Sequence, residues 1–160
     1  MTETFIAMTG RLDYPMLLVT ACAGGERAGC LVGFSTQCSI DPPRFIACLS
    51  DKNRTQQVAA RADALAVHFL PAGATALAEL FGAETGDDID KFSRCRWHPG
   101  PLGLPIIDEC GRWFVGRIVE RQTLGDHVAF VLDPVAASDD GGSDHLTFSE
   151  VKHLEPGHDA

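Results

Sequence analysis

Residues 111–137, GRWFVGRIVERQTLGDHVAFVLDPVAA, hold two long strand-like arms around one break at Leu124-Gly125-Asp126. Trp113 to Arg121 forms the first arm and His127 to Val135 the second. Both are rich in Val, Ile and Phe, the side chains that suit a pleated, half-buried surface. A connection this short joins antiparallel neighbours, because a parallel pair needs a crossover of about a dozen residues or more. The second half of the chain is therefore committed to antiparallel sheet.

The first half repeats the theme. YPMLLVTA (14–21) is a continuous apolar run that ends in the turn AGGER, and AGCLVGF (28–34) resumes as its hairpin partner. RFIACLS (44–50) is a third strand, and Pro42-Pro43 before it fits a strand start, where no ladder donor is needed. NRTQQVAARADA (53–64) reads as a helix capped by Asn53 or Asp51. ALAVHFL (64–70) reads as a central strand, apolar on both faces. In 72–83, Ala74, Leu77, Ala78 and Phe81 recur at helical spacing, with Gly82 as a stop. The stretch from Glu84 to Pro105 has Gly and Pro breakers and reads as loop. HLTFSEV (145–151) is expected to be a last short strand.

About seven strands and two short helices follow, with strands at the ends and helices in the middle. The alternation of a doubly wound sheet is missing. The fold class expected is mainly β: a split antiparallel β-barrel with short inserted helices. The length of 160 residues suits a single domain over 1–160, with 137–160 as an acidic loop and C-terminal strand or tail.

A net charge of −9 argues against nucleic acid as a partner, since phosphate backbones need a basic face. No apolar run reaches the length of a membrane helix, and MTETFIAMTG does not read as a signal peptide. The expected location is cytoplasmic, with no membrane partner. The six cysteines form no C-x-x-C pair and read as reduced thiols. Cys95, His98 and Cys110 match no common zinc spacing, so no metal site is expected.

Three short stretches are candidates for chemistry. GFSTQCSIDPPRF (33–45) sets a polar loop between two buried-looking strands. Ser35, Thr36 and Gln37 offer hydroxyls and an amide to a flat heterocycle, or they serve only their own backbone. SDKNRT (50–55) brings Ser50, Asn53, Arg54 and Thr55 to the start of a helix. That is a place for a phosphate, or a plain capped helix with a solvated cation. LGDHV (124–128) puts His127 at a strand end, where Asp126 can orient it, or where it is a half-exposed strand residue. Phe92 and Trp97 can wall a planar ligand or anchor a core. No G-x-S-x-G, P-loop or G-x-G-x-x-G is present, so redox chemistry would come from a bound cofactor.

In this order, over roughly residues 8 to 137, the pieces resemble the flavin reductase-like family of FMN-binding split barrels. The family's usual A-N-S-F-T-S-V-S-L-D-P-P is similar to V-G-F-S-T-Q-C-S-I-D-P-P here, with Gly33-Phe34 in place of Asn-Ser. NRT opening a helix and a late G-D-H complete the match. The resemblance implies an NAD(P)H:flavin oxidoreductase that passes a hydride from NADH or NADPH to FMN or FAD. It implies that Gly33, Phe34, Ser35, Thr36 and Gln37 hold the ring and ribityl chain. Ser50, Asn53, Arg54 and Thr55 would hold the phosphate, Phe92 would cover one edge, and His127 would stand beside the flavin and nicotinamide. It further implies a homodimer and a monooxygenase that receives reduced flavin. Alternatives are a flavin carrier, a haem binder using His68 or His98 on a similar barrel, and a deazaflavin-dependent oxidoreductase.

Overall fold

The computed structural model describes residues 1–86 and 88–157. Asp87 of the middle loop and residues 158–160 of the acidic tail lie outside the described residues. The strands are β1 (Leu17–Ala23), β2 (Glu26–Val32), β3 (Ser35–Ile40), β4 (Pro43–Ser50), β5 (Ala64–Phe69), β6 (Trp97–Pro99), β7 (Pro105–Ile107), β8 (Trp113–Leu124) and β9 (His127–Ser138). The helices are α1 (Thr2–Thr9), α2 (Arg54–Ala59), α3 (Thr75–Ala83) and α4 (Phe148–Val151).

Seven strands form one antiparallel sheet in the order β2-β1-β5-β8-β9-β4-β3, and β6 and β7 form a small second ladder. The sheet curls until β2 touches β4, although no ladder joins those two strands. That is the split barrel expected from the strand count. The long hairpin is β8 and β9, closed by the two-residue turn Gly125–Asp126. Gly125 sits at φ +61, a left-handed conformation that glycine adopts without a Cβ clash.

β1 explains its own continuous apolar run. Leu17, Val19 and Ala21 face the barrel interior with Cys30, Leu65 and Phe130. Met16 and Leu18 face a second core with Leu77, Phe81 and Leu146. A strand buried on both faces has no need for alternation.

Three expectations need correction. Ser35–Ile40 is a strand rather than a loop, paired with β4 through a bulge between Gln37 and Ser39. Its polar composition is that of an edge strand facing water, and only Gly33 and Phe34 remain as the connection from β2. The expected C-terminal strand at 145–151 is absent. Thr147 makes one bridge to Pro15, and the chain then enters α4. Thr147 and Glu150 close a capping box there, a T-x-x-E signal that outweighs the strand-like alternation. Helices also occur at both ends: α4 at one, and at the other α1, which has no buried residue and exposes Phe5, Ile6 and Met8.

Candidate functional site

The end of β4 organises the site. Cys48 donates its N–H to the carbonyl of Phe34 at 2.9 Å, which holds the β2–β3 connection on one side of β4. On the other side Ser50 pairs in register with His127 of β9, and Asp51 N–H donates to the Asp126 carbonyl at 2.9 Å. Beyond Asp51 the chain turns into α2. The carboxamide oxygen of Asn53 caps that helix by accepting from Thr55 N–H at 2.9 Å. Segments distant in sequence are thus brought to one place by ladder bonds.

Between them lies a cavity of about 360 Å³. Its polar lining includes Ser50, Asn53, Asp126, His127 and Lys152. The rings of Phe34 and His127 are 5.2 Å apart and inclined at 51°. His127 Nδ1 lies 2.7 Å from Asp126 Oδ1, and this hydrogen bond holds the Asp126 carboxyl below its ordinary pKa. The Asp126 carboxylate thereby fixes the imidazole with Nε2 as the remaining polar atom. Gly33 lines the cavity too, and a Cβ built there would come within 2.6 Å of the Tyr14 ring. Burial raises the pKa of the Cys48 thiol in the same wall, which keeps it neutral.

A second cleft of about 320 Å³ meets the first at Asn53, which lines both. Glu26, Arg54 and Thr55 border it. The Glu26 carboxylate accepts from the guanidinium groups of Arg54 and, at 2.9 Å, Arg61. Thr55 is buried, and its hydroxyl meets the Cys30 thiol, whose pKa burial pushes up to about 11.

The expected site residues thus divide between places. Gly33, Phe34, Ser50, Asn53 and His127 share the cavity, and Asn53, Arg54 and Thr55 share the cleft beside it. Ser35, Thr36 and Gln37 run along the edge strand β3, with the Gln37 amide donating to Ser39 O at 3.0 Å. Phe92 is buried between Phe81 and Trp97, at centroid distances of 5.8 and 5.7 Å, and borders the cleft.

Lys91 is buried in the wall of that cleft and was not anticipated. Its ammonium donates to Phe81 O at 3.0 Å and Gly29 O at 3.2 Å, and burial lowers its pKa. A charged residue between Asp90 and Phe92 gives no sign in the sequence that it will turn inward. Sequence reasoning also gave no role to the C-terminal segment, from which Phe148, Val151, Lys152, Leu154 and Pro156 line the cavity, beside Tyr14.

His68 and His98 were the candidates for haem ligation. His68 is fully buried, with Nδ1 donating to Leu18 O at 3.1 Å and Nε2 accepting from Ile107 N–H at 3.1 Å. Both ring nitrogens are committed to backbone, so His68 has none for an iron. His98 Nδ1 is 2.6 Å from Asp108 Oδ1 on the surface.

The model of the flavin reductase like domain matches residues 9–154. The chain belongs to that family. Within it, this flavin reductase-like domain is 29% identical over 158 residues to the FMN reductase (NADH) RutF of Ancylobacter novellus, covering 97% of this chain and 86% of that protein. Its fold matches a flavin reductase domain protein from Arthrobacter sp. FB24, with TM-score 0.84 and 23% identity over 94% of this chain and 92% of the other. It also matches the nitrilotriacetate monooxygenase component B homologue of Mycobacterium thermoresistibile, with TM-score 0.81 and 22% identity over 91% and 81%. At these identities the two structures speak for the fold. Among the described residues of this flavin reductase-like domain, no helix is long and apolar enough to cross a membrane.

Proposed function

We propose that the chain is an NAD(P)H:flavin oxidoreductase, with FMN as the favoured flavin and NADH as the favoured donor. One observation carries the reading. Gly33, Phe34, Ser50, Asn53 and His127, from separate parts of the chain, line one cavity together with Tyr14, Phe148 and Leu154. A flavin ring carries both polar and apolar groups, so the residues present fit it. The relative from Ancylobacter novellus, named an FMN reductase (NADH), supports the choice of flavin and donor.

When bound, flavin would supply a two-electron acceptor for the hydride of a dihydronicotinamide, which would leave oxidised. The protein's part is to hold two rings at reacting distance. Gly33 lets the β2–β3 connection pass close to Tyr14 and keeps the ring slot open. Phe34 and His127 stand at one rim, and the Asp126 carboxylate fixes the imidazole so that Nε2 can position the nicotinamide or the reduced ring. Ser50 and Asn53 offer polar groups to the same cavity, while Arg54 and Asn53 would take the phosphate in the adjoining cleft. A phosphate there would compete with Glu26 for the Arg54 guanidinium.

The working unit is the single domain 1–160, as a cytoplasmic homodimer. Ile40, Val119, Leu124 and Val135 are exposed apolar side chains on β3, β8 and β9, of the kind that a second copy would cover. Reduced flavin would pass to a monooxygenase, in line with the component B named for one structural relative.

Anaerobic mixing of the purified chain with FMN or FAD and NADH or NADPH tests this reading. Rapid loss of flavin absorbance with one pair is expected. Bound flavin that no nicotinamide reduces would make the protein a carrier.

A further inference from the structure

Five side chains of the C-terminal segment, Phe148, Val151, Lys152, Leu154 and Pro156, line the cavity that also holds Ser50, Asn53 and His127. The helix that carries the first two, α4, is a single turn of four residues. A helix this short has no stability of its own, so its place in the wall depends on what ties it down. One tie is the core. Leu146 is fully buried, its N–H donates to Leu70 O at 3.0 Å, and its carbonyl accepts from Met16 N–H at 2.8 Å. Phe148 N–H then donates to Tyr14 O at 2.9 Å, and the two rings stack at 4.9 Å, inclined by 12°.

The other tie is Asp13. The N–H of Ser149 donates to Asp13 Oδ1 and its hydroxyl to Asp13 Oδ2, each at 2.9 Å. Both oxygens of one carboxylate thus clasp one residue of α4, and the backbone bond from Ser149 holds the Asp13 carboxyl below its ordinary pKa. Asp13 Oδ1 also accepts from Tyr14 N–H at 3.1 Å. The carboxylate therefore joins the two stretches whose rings stack in the wall. Bonds to an ionised acceptor are stronger than neutral ones. Neither Asp13 nor Ser149 lines the cavity, so the clasp reaches it only through Tyr14, Phe148 and the residues that follow.

Resting on the flavin reading above, we propose that Asp13 is a positioning residue: it holds α4 against the cavity, and flavin affinity is coupled to that docking. Pockets enclose most of the surface of what they bind, so a ring that fills this one meets the C-terminal side chains whichever way it lies. Undocking α4 takes Phe148, Val151 and Lys152 out of the wall, and a chain in that state binds the ring less well. The coupling is reciprocal, so bound flavin holds the segment down.

The test pairs fluorescence-quenching titration of the full chain with FMN and amide hydrogen exchange across residues 147–157. Asp13→Ala should weaken FMN by about tenfold, the scale of a lost hydrogen bond to a charged group. It should speed exchange across the segment while β1, β8 and β9 exchange as in the wild type. Asp13→Asn, which keeps an acceptor oxygen, and Ser149→Ala, which removes one of the two bonds, should each lose less. Adding Ser149→Ala to Asp13→Ala should cost no further affinity, because both changes cut one clasp. In the wild type, FMN should slow exchange of the segment. A folded Asp13→Ala with wild-type affinity, losses that simply add in the double variant, or segment exchange that FMN leaves unchanged overturns the role of Asp13 alone. Should Asp13→Ala not fold, Ser149→Ala decides: weaker FMN with faster segment exchange supports the clasp, and wild-type values overturn it. A wild type that binds no FMN overturns the flavin reading and the coupling with it.

Discussion

The Phe34 ring leans on His127 at 5.2 Å, on the rim of the cavity, while Asp126 holds the other side of the imidazole at 2.7 Å. The histidine is thus fixed from two directions. His127→Ala should slow flavin reduction by about tenfold to a hundredfold while changing flavin affinity little, because orientation acts on the reacting geometry more than on ground-state binding. Anaerobic stopped-flow reduction and equilibrium titration of the same variant check this. Equal losses in both would assign His127 to flavin binding alone.

Gly33 tolerates no side chain while Tyr14 stays in place. A methyl group would lie 2.6 Å from the Tyr14 ring, which Phe148 holds by stacking. Gly33→Ala should therefore cost about 1–3 kcal/mol of stability, as overpacking does. Urea unfolding measures it. Combining Gly33→Ala with Tyr14→Leu should recover part of the loss, whereas simple additivity of the two changes would rule out the clash.

With the phosphate in the Arg54 cleft, Arg54 would separate FMN from riboflavin, which differ only by a phosphate. Arg54→Ala should weaken FMN by about tenfold or more, the scale of a charge-assisted hydrogen bond, and leave riboflavin nearly unchanged. Glu26→Gln should act in the opposite direction on FMN, since the Glu26 carboxylate already engages Arg54. Parallel titrations with FMN and riboflavin decide it; equal effects on both ligands would remove Arg54 from the phosphate site.

His68 makes stability depend on pH. Burial lowers its pKa from 6.5 to about 4, because desolvation disfavours the charged ring and outweighs the hydrogen bond to the Leu18 carbonyl, which favours it. A histidine in the unfolded chain takes up a proton near pH 6.5 while the folded one does not. The contribution to stability is therefore complete above that pH and is lost as the pH falls toward 4. Between pH 7 and pH 5 the loss should be about 2 kcal/mol. Urea unfolding at both values, compared with folded His68→Gln, isolates it. An identical pH dependence in the two proteins would show that His68 is not held neutral.

Much of the architecture was legible because strand signals are local. The long hairpin around Gly125 and the doubly buried run at Leu17–Ala21 declare themselves by composition and spacing. Ser35–Ile40 did not, because an exposed edge strand and a polar loop share a composition. The C-terminal helix was hidden because Thr147 and Glu150 signal it with one short motif amid strand-like alternation. In the site, His127 and Asn53 stood out by their turn and cap contexts. Lys91 and Leu154 did not, since nothing local tells a buried lysine from a solvated one, or a cavity wall from a tail.

The sequence by itself determined that this chain makes an antiparallel barrel and that polar residues gather before β4, before α2 and at the β8–β9 turn. Those are properties of side-chain period and turn chemistry, which act over a few residues. Only the tertiary structure decided that Phe34, Ser50 and His127 meet, that Arg54 opens on an adjoining cleft with Glu26, and that the C-terminal segment lines the same cavity. Those relations depend on which strands lie side by side and on how the sheet curls. Ladder pairing between distant segments sets them, and no local pattern encodes it.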